Sequence, residues 1–291
     1  MRRARAREAA LFGLLLVGCE DPLKPAQVLE ETRVLGVRLA APGDRASLDP
    51  GQTTELEVLL AGPDGMPAGA RLAFELCESA EAERGVPFCA SPALAGGSVD
   101  LDGSAVAIDV PASVTPGAAL VLLGAVCLGS EPQLAESPMD WGCSDGAELL
   151  RFSFDPRVTS DDFVNLNPDL SELSVTAGGV ALPLDATTRP PACDAETPVL
   201  DAEQARHFEL SLGEAAREPA SGSTPSESLQ LSHFASAGVW ERHYSFVEPG
   251  QALATSLGFT APSGGGPVKQ YLVVRDGRGG VSWASFSFCV E

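Results

Sequence analysis

Short apolar segments separated by glycine- and proline-rich turns recur along most of this chain, and they limit the folds it can adopt. In Glu55-Leu56-Glu57-Val58-Leu59-Leu60, two glutamates alternate with apolar residues, as on a strand with one solvated face. Turn signals such as Gly62-Pro63-Asp64-Gly65 follow these segments. In residues 33–157 alone, about seven such segments at roughly 8–12-residue spacing, without a convincing amphipathic helix, favour a β-sandwich. The predicted fold class is therefore all-β.

The segments fall into two groups, which predicts two sandwich domains in tandem. The first domain is expected over residues 33–157 and includes the almost wholly apolar run 119–127, which fits a strand covered on both sides. The second is expected over 158–291, where 213–228 is low in complexity and predicts a surface loop. A weakly helical stretch is expected at 198–205. A chain of 291 residues is long enough for two ordinary domains.

The clearest single element is a β-hairpin near the C-terminus. Residues 271–274 and 281–288 form its predicted strands, and Arg275-Asp276-Gly277-Arg278-Gly279-Gly280 joins them. The glycines supply the positive φ angles that such turns need. The turn is either a recognition loop on a rigid sandwich or a plain tight turn, and the sequence leaves both open.

The N-terminus carries the pattern of an export signal. Four arginines between residues 2 and 7 precede a short apolar run, 9–17, and small residues follow. Nine residues are too few to span a bilayer as a helix, which needs about 20. The run ends in Leu16-Val17-Gly18-Cys19, which resembles the lipobox of bacterial lipoproteins.

This resemblance implies a fate for Cys19. In that family the thiol is alkylated with diacylglycerol, the chain is cut before the cysteine, and the new amine is acylated with a fatty acid such as palmitate. Two or three acyl chains hold a protein on a bilayer where one would be marginal. The prediction is a signal peptide at 1–18, a lipid-anchored tether at 19–32, and a place in the cell envelope, on the periplasmic or external side of the inner or outer membrane. An ordinary signal peptide with a chance cysteine is the alternative.

The net charge argues against one class of partner. The chain has 19 Lys and Arg against 40 Asp and Glu, a formal charge of −21. Without residues 1–18 the balance is 15 basic against 39 acidic side chains, a charge of −24. So acidic a surface argues against nucleic acid or an anionic membrane face as the binding partner.

Six cysteines remain after Cys19, an even number that predicts disulfides in an exported chain. Six allow 15 connectivities, which spacing can only rank. The favoured pairs are Cys77–Cys89, Cys127–Cys143 and Cys193–Cys289. The first two close excursions between strands, and the third ties an early loop of the second domain to its last strand. A zinc site is the alternative, but the sequence has no Cys-x-x-Cys spacing and only three histidines.

Residues suited to catalysis are sparse. The sequence has no His-Glu-x-x-His and no Gly-x-Ser-x-Gly motif. His233 shares a predicted strand face with Leu229 and Leu231 and is expected in the core, whereas His207 and His243 are expected on the surface. The chain is therefore predicted to be no enzyme and to need no cofactor, although a triad of scattered residues is recognised only by geometry.

Calcium is the one metal that the acidic residues suggest. Four carboxylates lie between the two predicted domains: Asp155, Asp161, Asp162 and Asp169. Cadherin-like modules bind calcium at such junctions, and oxygen ligands suit this ion. A solvated acidic linker is the alternative.

A second resemblance lies in the C-terminal part. Residues 228–232, 260–262 and 274–283 look like a pattern in an uncharacterised family of envelope lipoproteins with Ig-like domains. The hairpin alone is similar to the closing strands of PKD- and cadherin-like modules. That family usually has a tryptophan where this chain has His233. The resemblance implies an Ig-like fold and brings no catalytic residues.

These patterns predict a lipid-anchored envelope protein that acts as a non-catalytic binding or scaffold module for an unknown protein or polysaccharide. A purely structural spacer is the alternative, and an enzyme is less favoured. No row of aromatic residues for stacking on sugars is evident, because Trp141, Trp240 and Trp283 are scattered.

Overall fold

The strands and turns are those of a computed structural model, which describes residues 25–80, 88–101, 105–135, 137–159, 165–185, 192–194, 196–219 and 226–291. Within these residues the chain forms 22 strands and three short 3₁₀ helices. The strands up to residue 158 are β1 Arg33–Ala40, β2 Ser47–Leu48, β3 Thr53–Ala61, β4 Ala70–Glu78, β5 Ala95–Leu101, β6 Val106–Asp109, β7 Leu120–Leu128, β8 Pro132–Gln133, β9 Gly142–Cys143, β10 Leu150–Phe154 and β11 Arg157–Val158.

The remaining strands belong to the second half of the chain. They are β12 Ser174–Ala177, β13 Val180–Leu182, β14 Leu184–Asp185, β15 Val199–Leu200, β16 His207–Ser211, β17 Leu229–Ala235, β18 Val239–Trp240, β19 Tyr244–Val247, β20 Ala254–Thr260, β21 Gly266–Arg275 and β22 Val281–Val290. The 3₁₀ helices are Pro138–Asp140, Gln204–Arg206 and Glu214–Ala216.

Seven strands of the first half form two facing sheets. One has the order β1-β3-β6 and the other the order β10-β7-β4-β5. Leu39, Leu56 and Ile108 of the first sheet share one buried apolar cluster with Leu72 and Leu122 of the second. Side chains that alternate inward and outward along each strand fill the space between the sheets in this way.

The second half builds a second sandwich. Its sheets have the orders β13-β12-β16-β20-β18 and β14-β22-β21-β17-β19, and β15 also pairs with β22. Phe208 lies at the centre of the core, with ring centroids 5.0 Å from Trp240, 5.7 Å from Phe259 and 5.4 Å from Phe288. The two main cores draw on residues 39–158 and 173–290.

Both sandwiches follow one strand order. In each, the first, second and fifth main strands form one sheet, and the seventh, sixth, third and fourth form the other. These main strands are β1, β3, β4, β5, β6, β7 and β10 in the first domain, and β12, β16, β17, β19, β20, β21 and β22 in the second. This is the Greek-key arrangement of an Ig-like sandwich, with the fourth strand beside the third instead of beside the fifth as in constant-type Ig domains. The predicted fold class, two Ig-like β-sandwiches, is confirmed.

An additional layer covers the outer face of the first domain's second sheet. Val121, Leu123 and Ala125 point outward from β7 and are nevertheless buried, because Trp141 and the chain around it lie over them. The disulfide Cys127–Cys143 holds this layer in place. The expectation of a strand covered on both sides is confirmed for residues 120–127, which are all buried, whereas Ala119 is exposed.

The structure contains the three expected disulfides. Their Cα–Cα distances are 5.5 Å, 5.7 Å and 5.6 Å, within the range that a cystine bridge requires. The bonds join Cys77 to Cys89, Cys127 to Cys143 and Cys193 to Cys289.

The structure has one strand that the sequence did not predict, and it differs from one local expectation. Residues 95–101 form β5, although Gly96-Gly97-Ser98 carries little strand propensity, because β5 pairs with β4 along its whole length. The stretch 198–205 is not helical over most of its length: Val199–Leu200 pairs in parallel with Cys289–Val290, and only a 3₁₀ turn follows. Tertiary pairing outweighs local propensity in both places. Part of the predicted loop at 213–228, residues 220–225, lies outside the described residues.

Candidate functional site

The larger sheet of the second domain has one covered edge and one open edge. At the covered edge, β14 and β15 both pair with β22. At the other edge, β17 is the one described strand that pairs with β19. An edge strand presents backbone N–H and C=O groups that lack a partner, so β19 is where this sheet can accept another strand.

The register of β19 shows which backbone groups face outward. The His233 N–H donates to His243 O at 2.9 Å, and the following pairs run in antiparallel register. Hydrogen-bonded pairs alternate with non-hydrogen-bonded pairs in such a ladder. The N–H and C=O groups of Tyr244 and Phe246 therefore point away from β17, toward the open side.

Two aromatic side chains stand on this open strand. Tyr244 is 51% exposed and Phe246 is 52% exposed, while Ser245 and Val247 between and beside them are buried. The two rings lie 5.4 Å apart at an angle of 65°, an edge-to-face arrangement. Aromatic residues are enriched at protein interfaces, so this pair marks a candidate binding surface, which we call the β19 edge.

Buried polar contacts fix β19 from behind. His233 Nε2 lies 3.2 Å from Ser245 Oγ, and its ring centroid lies 5.5 Å from that of Trp240. Trp240 Nε1 in turn donates to Gln270 Oε1 at 2.9 Å. His233 is 2% exposed, which confirms its expected place in the core. The β19 edge thus rests on a packed interior.

The first domain covers another part of the same sheet face. Tyr271, Val273 and Val281 of the hairpin form a buried apolar cluster with Leu35 and Leu59 of the first domain. The two sandwiches are therefore joined side by side. Because the covered face continues across β21 and β17 to β19, the β19 edge is the uncovered end of an established interface.

Trp283 is a main contact of this interface. The guanidinium of Arg38 lies 4.9 Å from the centroid of its ring, and Arg38 also forms two 3.0 Å hydrogen bonds to Glu57. A Cβ added at Gly36 would lie 3.1 Å from the Trp283 ring, so the glycine lets the ring approach the backbone of β1. Arg275 completes the contact by donating to Leu35 O at 3.0 Å.

The last part of the predicted tether lies against the second domain. Gln27 Nε2 donates to Trp240 O at 2.8 Å. Leu29 N–H donates to Ala235 O, and Ala235 N–H donates to Gln27 O, each at 2.9 Å. Residues 27–29 therefore extend the hydrogen bonding of β17, and both Gln27 and Leu29 are buried.

The Asp276–Gly280 turn is a structural part of the domain junction. Asp276 is 3% exposed. Its Oδ1 accepts the N–H groups of Arg278, Gly279 and Gly280 at 2.7–3.0 Å, and its Oδ2 accepts the Asn165 amide at 2.7 Å. Of the two readings that the sequence left open, these contacts favour a plain structural turn over a recognition loop.

Asn167 links both domains at the same place. Its Nδ2 donates to Leu39 O at 2.8 Å, and its Oδ1 accepts the Val281 N–H at 3.0 Å. No local pattern predicts this role, because an Asn-x-Asn-Pro segment is equally typical of an exposed linker.

A buried carboxyl group lies beside the junction. Glu227 Oε1 lies 3.0 Å from Arg278 Nη1, and its Oε2 accepts the Glu218 N–H at 2.9 Å. Burial, together with the nearby charges of Asp276 and Glu218, raises the pKa of Glu227 to about 7 against the pull of Arg278.

A buried ion pair lies on the same sheet face. Lys269 is fully buried, and its ammonium group pairs with Asp185, whose carboxylate also accepts the Ser287 hydroxyl at 2.8 Å. Burial lowers the pKa of Lys269, and it raises the pKa of the neighbouring Tyr271. Lys269 and Tyr271 are buried, whereas the Asp185 side chain is 26% exposed, so the ion pair lies at the margin of the packed face.

A cleft of about 400 Å³ opens between the domains, bounded by β1, β10 and the hairpin turn. Apolar side chains and glycines line most of it, and Arg275 is the one charged residue in its lining. Ser153 has no histidine or carboxylate beside it in that lining. A nucleophile, a base and oxyanion donors do not meet there, as catalysis would require.

The predicted calcium ligands are only partly described. Asp155 and Asp169 are exposed, while Asp161 and Asp162 lie outside the described residues. Among the residues that the structure covers, no three His, Cys, Asp or Glu side chains are grouped so that they could hold a metal ion. Calcium binding stays a prediction. The predicted lipidation site, Cys19, also lies outside the described part of the chain.

Sequence reasoning missed Tyr244 and Phe246 as candidate site residues. The available signal was two aromatic residues at a spacing of two, flanked by Arg242 and Glu248. That pattern predicts a strand with one aromatic face but not whether another element covers the face.

Comparisons with known proteins add no family. No protein-family model and no curated protein matches the chain. Among solved structures, the D0-D1 domain of Intimin is similar over 89% of this chain and 99% of that chain, at 9% identity and a TM-score of 0.22. A TM-score this low carries no argument about function, and the Ig-like assignment rests on the strand order. Within the described residues, no helix has the length and apolar character needed to cross a membrane.

Proposed function

We propose that this protein is a non-catalytic binding or scaffold module of the bacterial cell envelope, held on a membrane by a lipid on Cys19. The Ig-like sandwich is typical of modules that bind through loops or sheet edges. The lipobox-like sequence Leu16-Val17-Gly18-Cys19 supports the anchor. Three disulfides fit an oxidising compartment outside the cytosol.

The β19 edge is the observation that carries the proposal. It combines outward-facing backbone groups with two half-exposed aromatic rings on a strand that packed residues hold in place. Backbone hydrogen bonds to an added strand would supply affinity, and contacts with Tyr244 and Phe246 would supply specificity.

Co-purification from detergent-solubilised membranes tests the binding role. The tagged wild-type protein should retain a stoichiometric partner, and the double variant Tyr244→Ser/Phe246→Ser should lose it. Val199→Ser is the matched control, because Val199 is an equally exposed apolar residue at the opposite, covered edge of the sheet. If the wild-type protein retains no partner, the spacer alternative replaces the binding role.

Fractionation of cells tests the anchor separately. Wild-type protein should sediment with membranes and carry the mass of a diacylglyceryl and acyl modification on Cys19. Cys19→Ala should move it to the soluble fraction. Wild-type protein that lacks the acyl mass, or that still carries Met1 in a soluble extract, contradicts the anchor.

A further inference from the structure

We propose that the strand that fills the β19 edge is β19 of a second copy of this chain. The two copies would pair antiparallel about a twofold axis and join their sheets into one. This inference rests on the proposed binding role of the β19 edge and names its partner.

The outward-facing groups fix the possible registers. By the alternation of the ladder, Tyr244 and Phe246 present their backbone groups to the open side, while 243, 245 and 247 face β17. The backbone groups of Glu248, just beyond the strand, are already bonded to Gln251. A twofold axis through Ser245 places Tyr244 opposite Phe246 of the second copy. Within the described part of the chain, the outward N–H and C=O groups of this pair have no hydrogen-bond partner, so each residue can donate and accept one hydrogen bond.

Side chains in this register complement each other. Tyr244 meets Phe246 of the second copy twice, once on each side of the axis, and aromatic cross-strand pairs stabilise sheets. One step further out, Arg242 lies opposite Glu248 of the second copy, again twice. Both side chains are exposed, and the Arg242 guanidinium donates an exposed hydrogen bond to Ser256 O at 2.7 Å.

Neighbouring registers are poorer. An axis through Tyr244 would place Phe246 opposite Arg242 and Glu248 opposite the buried Trp240. An axis through Phe246 would place Tyr244 opposite Glu248. Only the axis through Ser245 pairs aromatic with aromatic and acid with base, which is the self-complementarity that a twofold interface requires.

Local charge also favours the second copy. A protein with a formal charge of −21 repels its own copies at long range. Arg242 and Glu248 flank β19 with opposite charges, so the antiparallel pairing sets each of them against its opposite. Four residues of strand bury little area, but an anchor that confines both copies to one membrane raises their effective concentration.

Charge reversal with rescue tests the pairing. The full chain in detergent micelles is studied by sedimentation over a range of protein concentrations. Wild-type protein should form a concentration-dependent dimer. Arg242→Glu or Glu248→Arg places like charges opposite each other twice and should weaken the dimer about tenfold or more. The double variant Arg242→Glu/Glu248→Arg restores opposite charges and should recover the wild-type dissociation constant.

Two controls separate the outcomes. Glu55→Arg reverses an exposed charge on β3 and should leave dimerisation unchanged. Melting temperatures show that each variant is folded. A wild-type protein that stays monomeric, or single reversals that do not weaken the dimer, overturns the inference. If a different partner is then still lost in Tyr244→Ser/Phe246→Ser, the proposed function stands without self-association.

Discussion

His233 shows how burial changes the pKa of a single side chain. Its imidazole packs against Trp240 and lies within hydrogen-bonding distance of the Ser245 hydroxyl. The ring stabilises the core only in its neutral form, because a buried charge would be poorly solvated. Burial, and to a lesser extent the charge of Arg242, lowers the pKa of His233 to about 3 from its usual 6.5.

Acid should therefore destabilise the protein through His233. The unfolded ring takes up a proton below pH 6.5, whereas the folded ring resists protonation down to about pH 3. Stability is full above pH 6.5 and is lost as the pH falls, by at most about 1.4 kcal/mol per pH unit. His233→Phe keeps the ring packing and should remove this slope, as urea unfolding between pH 4 and 7 would show. An unchanged slope contradicts the assignment.

Glu227 should produce a slope of the opposite sign. Its folded pKa of about 7 lies above its usual value of 4.5, so its contribution to stability is full below pH 4.5 and is lost as the pH rises through 7. We expect Glu227→Gln to gain stability relative to the wild type as the pH rises from 5 to 8, by about 1–3 kcal/mol in total. Urea unfolding of both proteins at each pH measures this difference. A difference that does not vary with pH contradicts it.

At the scale of elements, the alternation of apolar and polar residues predicted strands that have one solvated face, and it was a weak signal for the other strands. The alternation in β3 and the turn residues of the β21–β22 hairpin predicted those elements. The alternation could not predict β5, because Gly96-Gly97-Ser98 adopts strand geometry through its pairing with β4. Nor could it show that β19 is an open edge, because exposure depends on which elements lie beside a strand. The candidate site was therefore not predictable from the sequence.

Loop length should rank the disulfides by their contribution to stability. Cys193 and Cys289 are separated by 96 residues, and Cys77 and Cys89 by 12. In the chain-entropy model a loop near 100 residues contributes about 4–5 kcal/mol and a loop near 15 residues about 3 kcal/mol. Replacing both cysteines of the longer loop by alanine should thus lower the free energy of unfolding more than the same change in the shorter loop. Equal losses in urea unfolding would contradict this ranking.

On the scale of the whole molecule, the side-by-side contact makes the two sandwiches one body. Leu35, Tyr271 and Trp283 alternate with core residues along their strands. These strands are therefore apolar on both faces, and the sequence does not show what covers the outer face. Which outward faces meet depends on Gly36 and on the linker residues Asn165 and Asn167. Such long-range contacts leave no local pattern, which is why two domains were predictable but their packing was not.

Trp283→Ala should uncouple the domains. The substitution removes the Arg38 contact and opens the buried cluster around Tyr271 and Leu35, at a cost of about 2–3 kcal/mol. Calorimetry should show one unfolding transition for the wild type and two for the variant, because each domain retains its own core. Tyr244→Ser, on the exposed part of the same sheet, should keep a single transition. A variant that still unfolds in one step contradicts this coupling.

The docking of residues 27–29 on the second domain limits how far the two domains can lie from the membrane. If Cys19 carries the lipid, the chain from there to Pro25 can reach about 20 Å at full extension. So short a linker keeps the two domains close to the lipid headgroups and restricts their movement away from the membrane. A ligand would then be bound at the membrane surface and not at a distance from it.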